Sequence, residues 1–425
     1  MAAFEVLRMK AKPRAREGEE FETPFHGPTL EAFSKEFPEK KDALDAALTE
    51  FDAQSIKNFD VYHSKKFEGV AFSFTKLKIT PDVIKRLSAK RGSPQEIGSG
   101  EISDGDLIVG NDREEASGTE VHTGAKQQDF FLLTGFAPPP DGHAFTAEDV
   151  GIDRFLRLLP RVANSLRLGQ EPPEVTIYLL GSPTGFGGSV TGGKGEWIDQ
   201  VKDGGFEKYG ELYAEFIKEH EAGENTDRHI VLQGVSKGAV VVEKTLKFLP
   251  ELRDSIQCLL DTPAGDHTPG GPKAWLKGAQ IAAGFTAETI ARVMLDDMMQ
   301  GLMVRGPKFI QDLSRKTGIA VDAPEQLALK RKAALAEILT MMKGTRMDTE
   351  NNRLFIRRAL YDPATSSPMQ LVKALGKEPK IAAPTFQRGK SLEVPFAHSH
   401  YFLYRRYHRW ASILDFVTNS KPTGS

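Results

Sequence analysis

Ser236 stands between Gly234 and Gly238 in HIVLQGVSKGAVVVEKTLKFL, His229 to Leu249, with the spacing G-x-S-x-G. A serine hydroxyl becomes a useful nucleophile when a base takes its proton and fixed donors receive the charge that develops on the attacked oxygen. Five residues are a short pattern in a chain that has 39 glycines, so the flanks must carry the meaning. Upstream, Ile230, Val231 and Leu232 form the apolar run of a buried parallel strand; downstream, Ala239, Val240, Val242, Leu246 and Leu249 recur at helical spacing. A strand that turns sharply into a helix at a glycine-flanked serine is a nucleophile elbow, which lifts Oγ clear of the sheet. The plainer role for the same residues is a strand-helix junction without chemistry.

Other reactive-looking residues have weaker surroundings. GSVTGGKG, Gly188 to Gly195, fits a phosphate-loop spacing, but Gly195 stands where a Mg²⁺-binding Ser or Thr is required, and the next segment is broken by Gly204 and Gly205. No nucleotide site is expected there. Cys258, the single cysteine, sits in the apolar run IQCLLD as a small core residue and excludes an internal disulfide. YFLYRRYHRW interleaves aromatics with Arg405, Arg406 and Arg409, which a helix with one apolar face explains without RNA.

The elements that would hold Ser236 alternate. In FEGVAFSFTKLKI, Val70, Phe72 and Phe74 alternate and Leu77 and Ile79 continue out of phase, which predicts an antiparallel strand with a bulge. Phe4, Val6 and Met9 allow an earlier strand, and the segment from about Lys90 to Gln128 reads as polar loops around one short strand, DLIVG. From DFFLLTGF onward, strand and helix patterns alternate: a helix over Ile152 to Leu166 with a kink at Pro160, the strand VTIYLLG, the helix FEKYGELYAEFIKEHE, the strand before Ser236, and the strand SIQCLLD. Helical patterns fill Asp266 to Thr349, as an inserted lid; RLFIRRALYD resumes the sheet or forms a helix, KSLEVPFAHSH is a last strand, and Leu403, Tyr407, Trp410, Leu414 and Val417 make a closing helix. The expected fold is α/β, with a mostly parallel central sheet, helices on both faces, antiparallel N-terminal strands and a helical lid. The expected divisions are an N-terminal extension over 1–127, the first part of the core over 128–265, the lid over 266–350 and the last part of the core over 351–425.

This order resembles the α/β-hydrolase superfamily from about Gln128 to the C-terminus. The resemblance implies an oxyanion loop after the third strand, matched by LLTGFAPPPDG, with Thr134 where the family often has histidine and with Gly135 and Phe136 as backbone donors. It implies a second donor at the N–H of Lys237, whose side chain is given no role. YLLGSPTGFGGSV is similar to the corresponding loop of serine carboxypeptidases. The family's chain order, nucleophile, acid, histidine, implies a base in PFAHSHY: His398, with Ala397 for the usual glycine, or His400 as the alternative, while His408 falls inside the closing helix. The implied acid is Asp362, after the strand that follows the lid, or Asp261, at the end of the strand after the nucleophile helix.

Composition bounds the partners. Apolar residues make up 40% and charged residues 27%, with a net charge of −2, so nothing in the overall balance attracts nucleic acid or anionic lipid. No window approaches a membrane span, and the basic start lacks the apolar core of a secretory signal, so an intracellular site, cytoplasmic or organellar, is expected. The expected activity is hydrolysis of a carboxylic ester, thioester or amide with an apolar acyl part, without metal or organic cofactor. Seven methionines of the insertion, Met294, Met298, Met299, Met303, Met341, Met342 and Met347, suit either an acyl pocket or ordinary helix packing. The alternative is a catalytically inactive hydrolase fold serving as a binding or assembly subunit, with protein partners docking on the polar N-terminal region.

Overall fold

The computed structural model describes residues 33–89, 127–133, 135–136, 148–221, 228–264, 276, 279–280, 307–344, 354–359, 391–394 and 406–419. In chain order these hold α1 (Lys41–Lys57), β1 (Phe59–His63), β2 (Ala71–Ile79), α2 (Pro81–Ala89), β3 (Gln127–Leu133), α3 (Glu148–Arg167), β4 (Glu174–Leu180), α4 (Trp197–Gly204), α5 (Phe206–Glu221), β5 (Arg228–Val235), α6 (Lys237–Lys247), β6 (Ile256–Asp261), α7 (Pro307–Thr317), α8 (Pro324–Lys343), β7 (Leu354–Ala359), β8 (Ser391–Val394) and α9 (Arg406–Asn419).

The strands form one sheet in the order β1-β2-β4-β3-β5-β6-β7-β8. β1, β2 and β4 pair antiparallel, and every pairing from β4 through β8 is parallel. The fold is of the α/β-hydrolase type, with an antiparallel entry and a crossover that places β4 outside β3.

The apolar runs follow from burial on both faces. Phe130, Leu132, Val175, Ile177, Leu179, Val231 and Leu259 face one cluster, packed under α1, α2, α3 and α9 through Phe51, Val83, Phe155, Leu159, Trp410 and Leu414. The alternate residues Phe131, Leu133, Tyr178, Leu180, Ile230, Leu232, Cys258 and Leu260 face the other, under α4, α5, α6 and α8. Period-two alternation sends successive side chains of each strand to opposite helical layers, so a parallel strand here needs an apolar residue at nearly every step.

The same two-sidedness corrects the expected bulge. β2 pairs without interruption with both neighbours, Phe59↔Thr75 to His63↔Ala71 on one side and Phe74↔Leu180 to Ile79↔Val175 on the other. Phe72 joins the α5 layer while Leu77 and Ile79 join the α1 layer, so the change of phase marks a change of buried face. α3 runs through Pro160 as one helix. The stretch open to two readings, RLFIRRALYD, is strand over Leu354–Ala359. The strands expected at Phe4 and at DLIVG lie outside the described residues.

Candidate active site

β5 ends at Val235, paired with Asp261 at the end of β6, and Leu133 at the end of β3 pairs with Gly234. Ser236 therefore lies at the carboxyl edge of the sheet between two other strand ends, where α/β sheets form their crevices. Its backbone sits at φ 56° and ψ −121°, and α6 begins at the next residue. An L-residue pays on the order of 1–3 kcal/mol for such a conformation, which persists only when the surroundings over-determine it.

Those surroundings are visible. Ser236 N–H donates to the Asp261 carbonyl at 2.9 Å, and the Ser236 carbonyl accepts from both Ala239 N–H and Ala264 N–H at 3.1 Å. A Cβ on Gly234 would meet the Gly238 carbonyl oxygen at 2.2 Å, so the turn closes only with glycine at 234. Thr262, one residue beyond β6, has φ 46°; with Ser236 it makes up the positive-φ non-glycine residues among those described, and both end neighbouring strands.

Serine at a helix N-cap ordinarily accepts from the first-turn N–H groups. Ser236 makes no such bond, so its Oγ is not spent on capping, and the residue stays partly exposed. Gly135 comes up against it from the end of β3: a Cβ there would lie 3.2 Å from Ser236 Cβ and 3.8 Å from Oγ. The bare backbone at 135 is what allows the approach. Phe136 packs on the α5 layer, and Thr134 lies outside the described residues.

Asp261 is fully buried, and its Oδ2 accepts from Gln233 Nε2 at 3.0 Å. Arg154 of α3 donates to Gln233 Oε1 at 3.0 and 2.7 Å, completing a buried chain beneath the elbow. Asp362, His398 and His400 lie outside the described residues. His408 falls within α9.

The sequence reading gave the Lys237 side chain no role, and the structure corrects it. Lys237 is buried, with Nζ 2.7 Å from Glu337 Oε2 of α8, 3.5 Å from Ser182 Oγ and 5.0 Å from the centroid of the Tyr209 ring. Tyr209 Oη also donates to Glu337, and Thr184 Oγ1 reaches the same carboxylate at 3.4 Å. Burial first, then the Glu337 charge, raises the Tyr209 hydroxyl well above its ordinary pKa, so it stays protonated and donates. A signal was present: the residue that opens a helix packed against a sheet cannot reach water, so a lysine there needs a buried partner.

α8 makes a second anchor seven residues earlier. Lys330 Nζ donates to the Gly185 carbonyl at 2.8 Å and pairs with Asp322 at 2.7 Å; burial holds its ammonium below the ordinary lysine pKa while Asp322 opposes. Gln326 Nε2 donates to the Val190 carbonyl at 3.3 Å, so the glycine-rich loop read against a nucleotide site packs on α8. Met341 is buried in the α5 layer, as helix packing requires. No group of metal-binding side chains occurs among the described residues, and no helix among them is long and apolar enough to cross a membrane.

No family model and no curated protein matches the chain. Among solved structures it is similar to a thermophilic esterase from Thermogutta terrifontis, at 14% identity, TM-score 0.31, covering 69% of this chain and 91% of that one. The epoxide hydrolase VrEH1 from Vigna radiata aligns at 11% identity and TM-score 0.35, covering 85% and 99%. A peroxisomal α/β-hydrolase from Saccharomyces cerevisiae aligns at 10% identity and TM-score 0.34, covering 87% and 92%. The fold rests on strand order, direction and connection.

Proposed function

We propose that this protein is a serine hydrolase acting on a carboxylic ester, thioester or amide with an apolar acyl part. The observation that carries the reading is the Ser236 turn: a strained backbone over-determined by its neighbours, an Oγ not used for capping, and the Gly135 backbone against it. In this reading Oγ attacks the acyl carbon while its proton passes to the imidazole of His398, with His400 as the alternative. The oxyanion forms at the amino end of α6, where the Lys237 N–H and the Gly135 and Phe136 backbone donate and the helix dipole favours negative charge. Collapse expels the alcohol, thiol or amine, which takes the proton from the histidine, and water then releases the acyl group by the same route.

The acid is assigned to Asp362, with Asp261 as the alternative. The Gln233 bond supports a bracing role for Asp261, since it orders the strand end that receives the Ser236 N–H.

The test is labelling with a fluorophosphonate probe. The native chain is expected to label and Ser236→Ala to remain unlabelled. His398→Ala should lower hydrolysis of p-nitrophenyl butyrate by several powers of ten, more than His400→Ala does, and Asp362→Asn by roughly 10⁴ without loss of folding. A folded native protein that stays unlabelled supports the binding or assembly reading instead.

A further inference from the structure

Lys237 carries one proposed oxyanion donor on its backbone and a buried ammonium on its side chain. The partner of that ammonium comes from α8, in the segment inserted between β6 and β7, which the sheet does not need for its own pairing. The side chains are 4% and 1% exposed, so both charges have left water. For stability alone such a pair is a poor device, because apolar side chains of similar volume do as well or better. It does supply direction. A charge-assisted hydrogen bond fixes angle and distance, which apolar contact leaves loose. The carboxylate is itself held by Tyr209 and Thr184, and α8 is held in register by Lys330 on Gly185.

We propose that Lys237 and Glu337 are a positioning pair: docking of α8 through Glu337 fixes the Lys237 side chain, and with it the direction of the Lys237 N–H at the oxyanion site. The inserted helix then completes the hydrolytic site as well as packing beside it. This rests on Ser236 being the nucleophile. The effect is one of geometry, and displacements near 1 Å at such a site cost about 10²-fold in rate.

The experiment uses the full chain, following the rate of fluorophosphonate labelling and the kcat and KM for p-nitrophenyl butyrate, with Tm measured alongside. Glu337→Gln keeps the shape and removes the charge; kcat and the labelling rate should fall about 10- to 100-fold while KM stays within about twofold. Lys237→Met with Glu337→Leu removes both charges and should regain most of the Tm lost in Glu337→Gln, yet remain as slow as Glu337→Gln. Should Glu337→Gln fail to fold, the double variant decides alone. A double variant that regains both Tm and native rate reduces the pair to a structural contact and overturns the proposal, while Ser236→Ala still distinguishes the nucleophile. A native chain unlabelled at Ser236 overturns the hydrolase reading and this inference with it.

Discussion

The sheet carries a buried charge cluster at each end, and the two are built differently. At the amino end Arg228 pairs with Glu221 at 2.5 Å, lies 3.8 Å from Asp129 and donates to Gln127 at 3.0 Å. Glu221 ends the helix whose connection leads into Arg228, seven residues on, and Asp129 and Gln127 lie on the adjacent strand, so this cluster ties consecutive or adjoining elements. At the carboxyl end Lys237 reaches across 100 residues to Glu337, and Glu337 reaches 128 and 153 residues back to Tyr209 and Thr184. A cluster closed within the core braces it. One that joins the Ser236 turn to an inserted helix makes the position of that helix a condition of the turn's geometry.

The largest contrast should appear when one partner is removed. Glu337→Leu leaves the Lys237 ammonium buried and uncompensated, with an expected loss of about 3–5 kcal/mol in urea unfolding. Glu221→Leu should cost less, roughly 2 kcal/mol, because the Arg228 side chain keeps 15% exposure and retains Asp129 and Gln127. Equal losses would break the distinction.

The amino end also predicts a pH dependence. Burial, then the Glu221 charge, pushes the Asp129 carboxyl up to about 7 against the opposing Arg228. A carboxyl raised above its unfolded value binds its proton more tightly when folded. Its contribution is therefore present below about pH 4 and lost as pH rises through about 7. Asp129→Asn should remove that fall, leaving the protein more stable than native at pH 8 by on the order of 2 kcal/mol, with labelling of Ser236 unchanged. Unfolding midpoints from pH 4 to 8 measure it; an unchanged slope, or slowed labelling, would mean that the amino end is not a simple brace.

The smallest effect separates two tyrosines of α5. Tyr213 Oη donates to the Gly181 carbonyl at 2.7 Å, whereas Tyr209 Oη donates to Glu337 itself. Tyr213→Phe should cost about 1 kcal/mol and alter labelling less than Tyr209→Phe. The reverse order would shift the positioning role from Glu337 to the loop after β4.

Much of this was legible in the residues themselves. Ile230 to Leu232, the flanking glycines and the helical spacing after Ser236 describe the strand-to-helix turn by themselves, because each step is set by neighbours within a few positions. The out-of-phase Leu77 and Ile79 misled, since alternation cannot distinguish a bulge from a strand buried on both faces. The α8 contacts were hidden for a related reason: its buried face carries Lys330 and Glu337 among Ala333, Ala334, Ala336 and Met341, and buried charge blurs the apolar stripe by which a helix face is read.

The sequence by itself determined the fold class, the elbow at Ser236 and the glycine at 234, because these depend on local backbone sterics and on the spacing of apolar side chains. Tertiary structure alone decided that Gly135 lies against Ser236, that Asp261 accepts from Gln233, itself held by Arg154, and that Lys237 is paired with Glu337. Those pairings join residues tens to a hundred positions apart, and no local propensity encodes which buried charge will meet which. The choice follows from the order of the strands and the docking of the inserted helix, where an unpaired charge in a dry interior would cost more than the fold can bear.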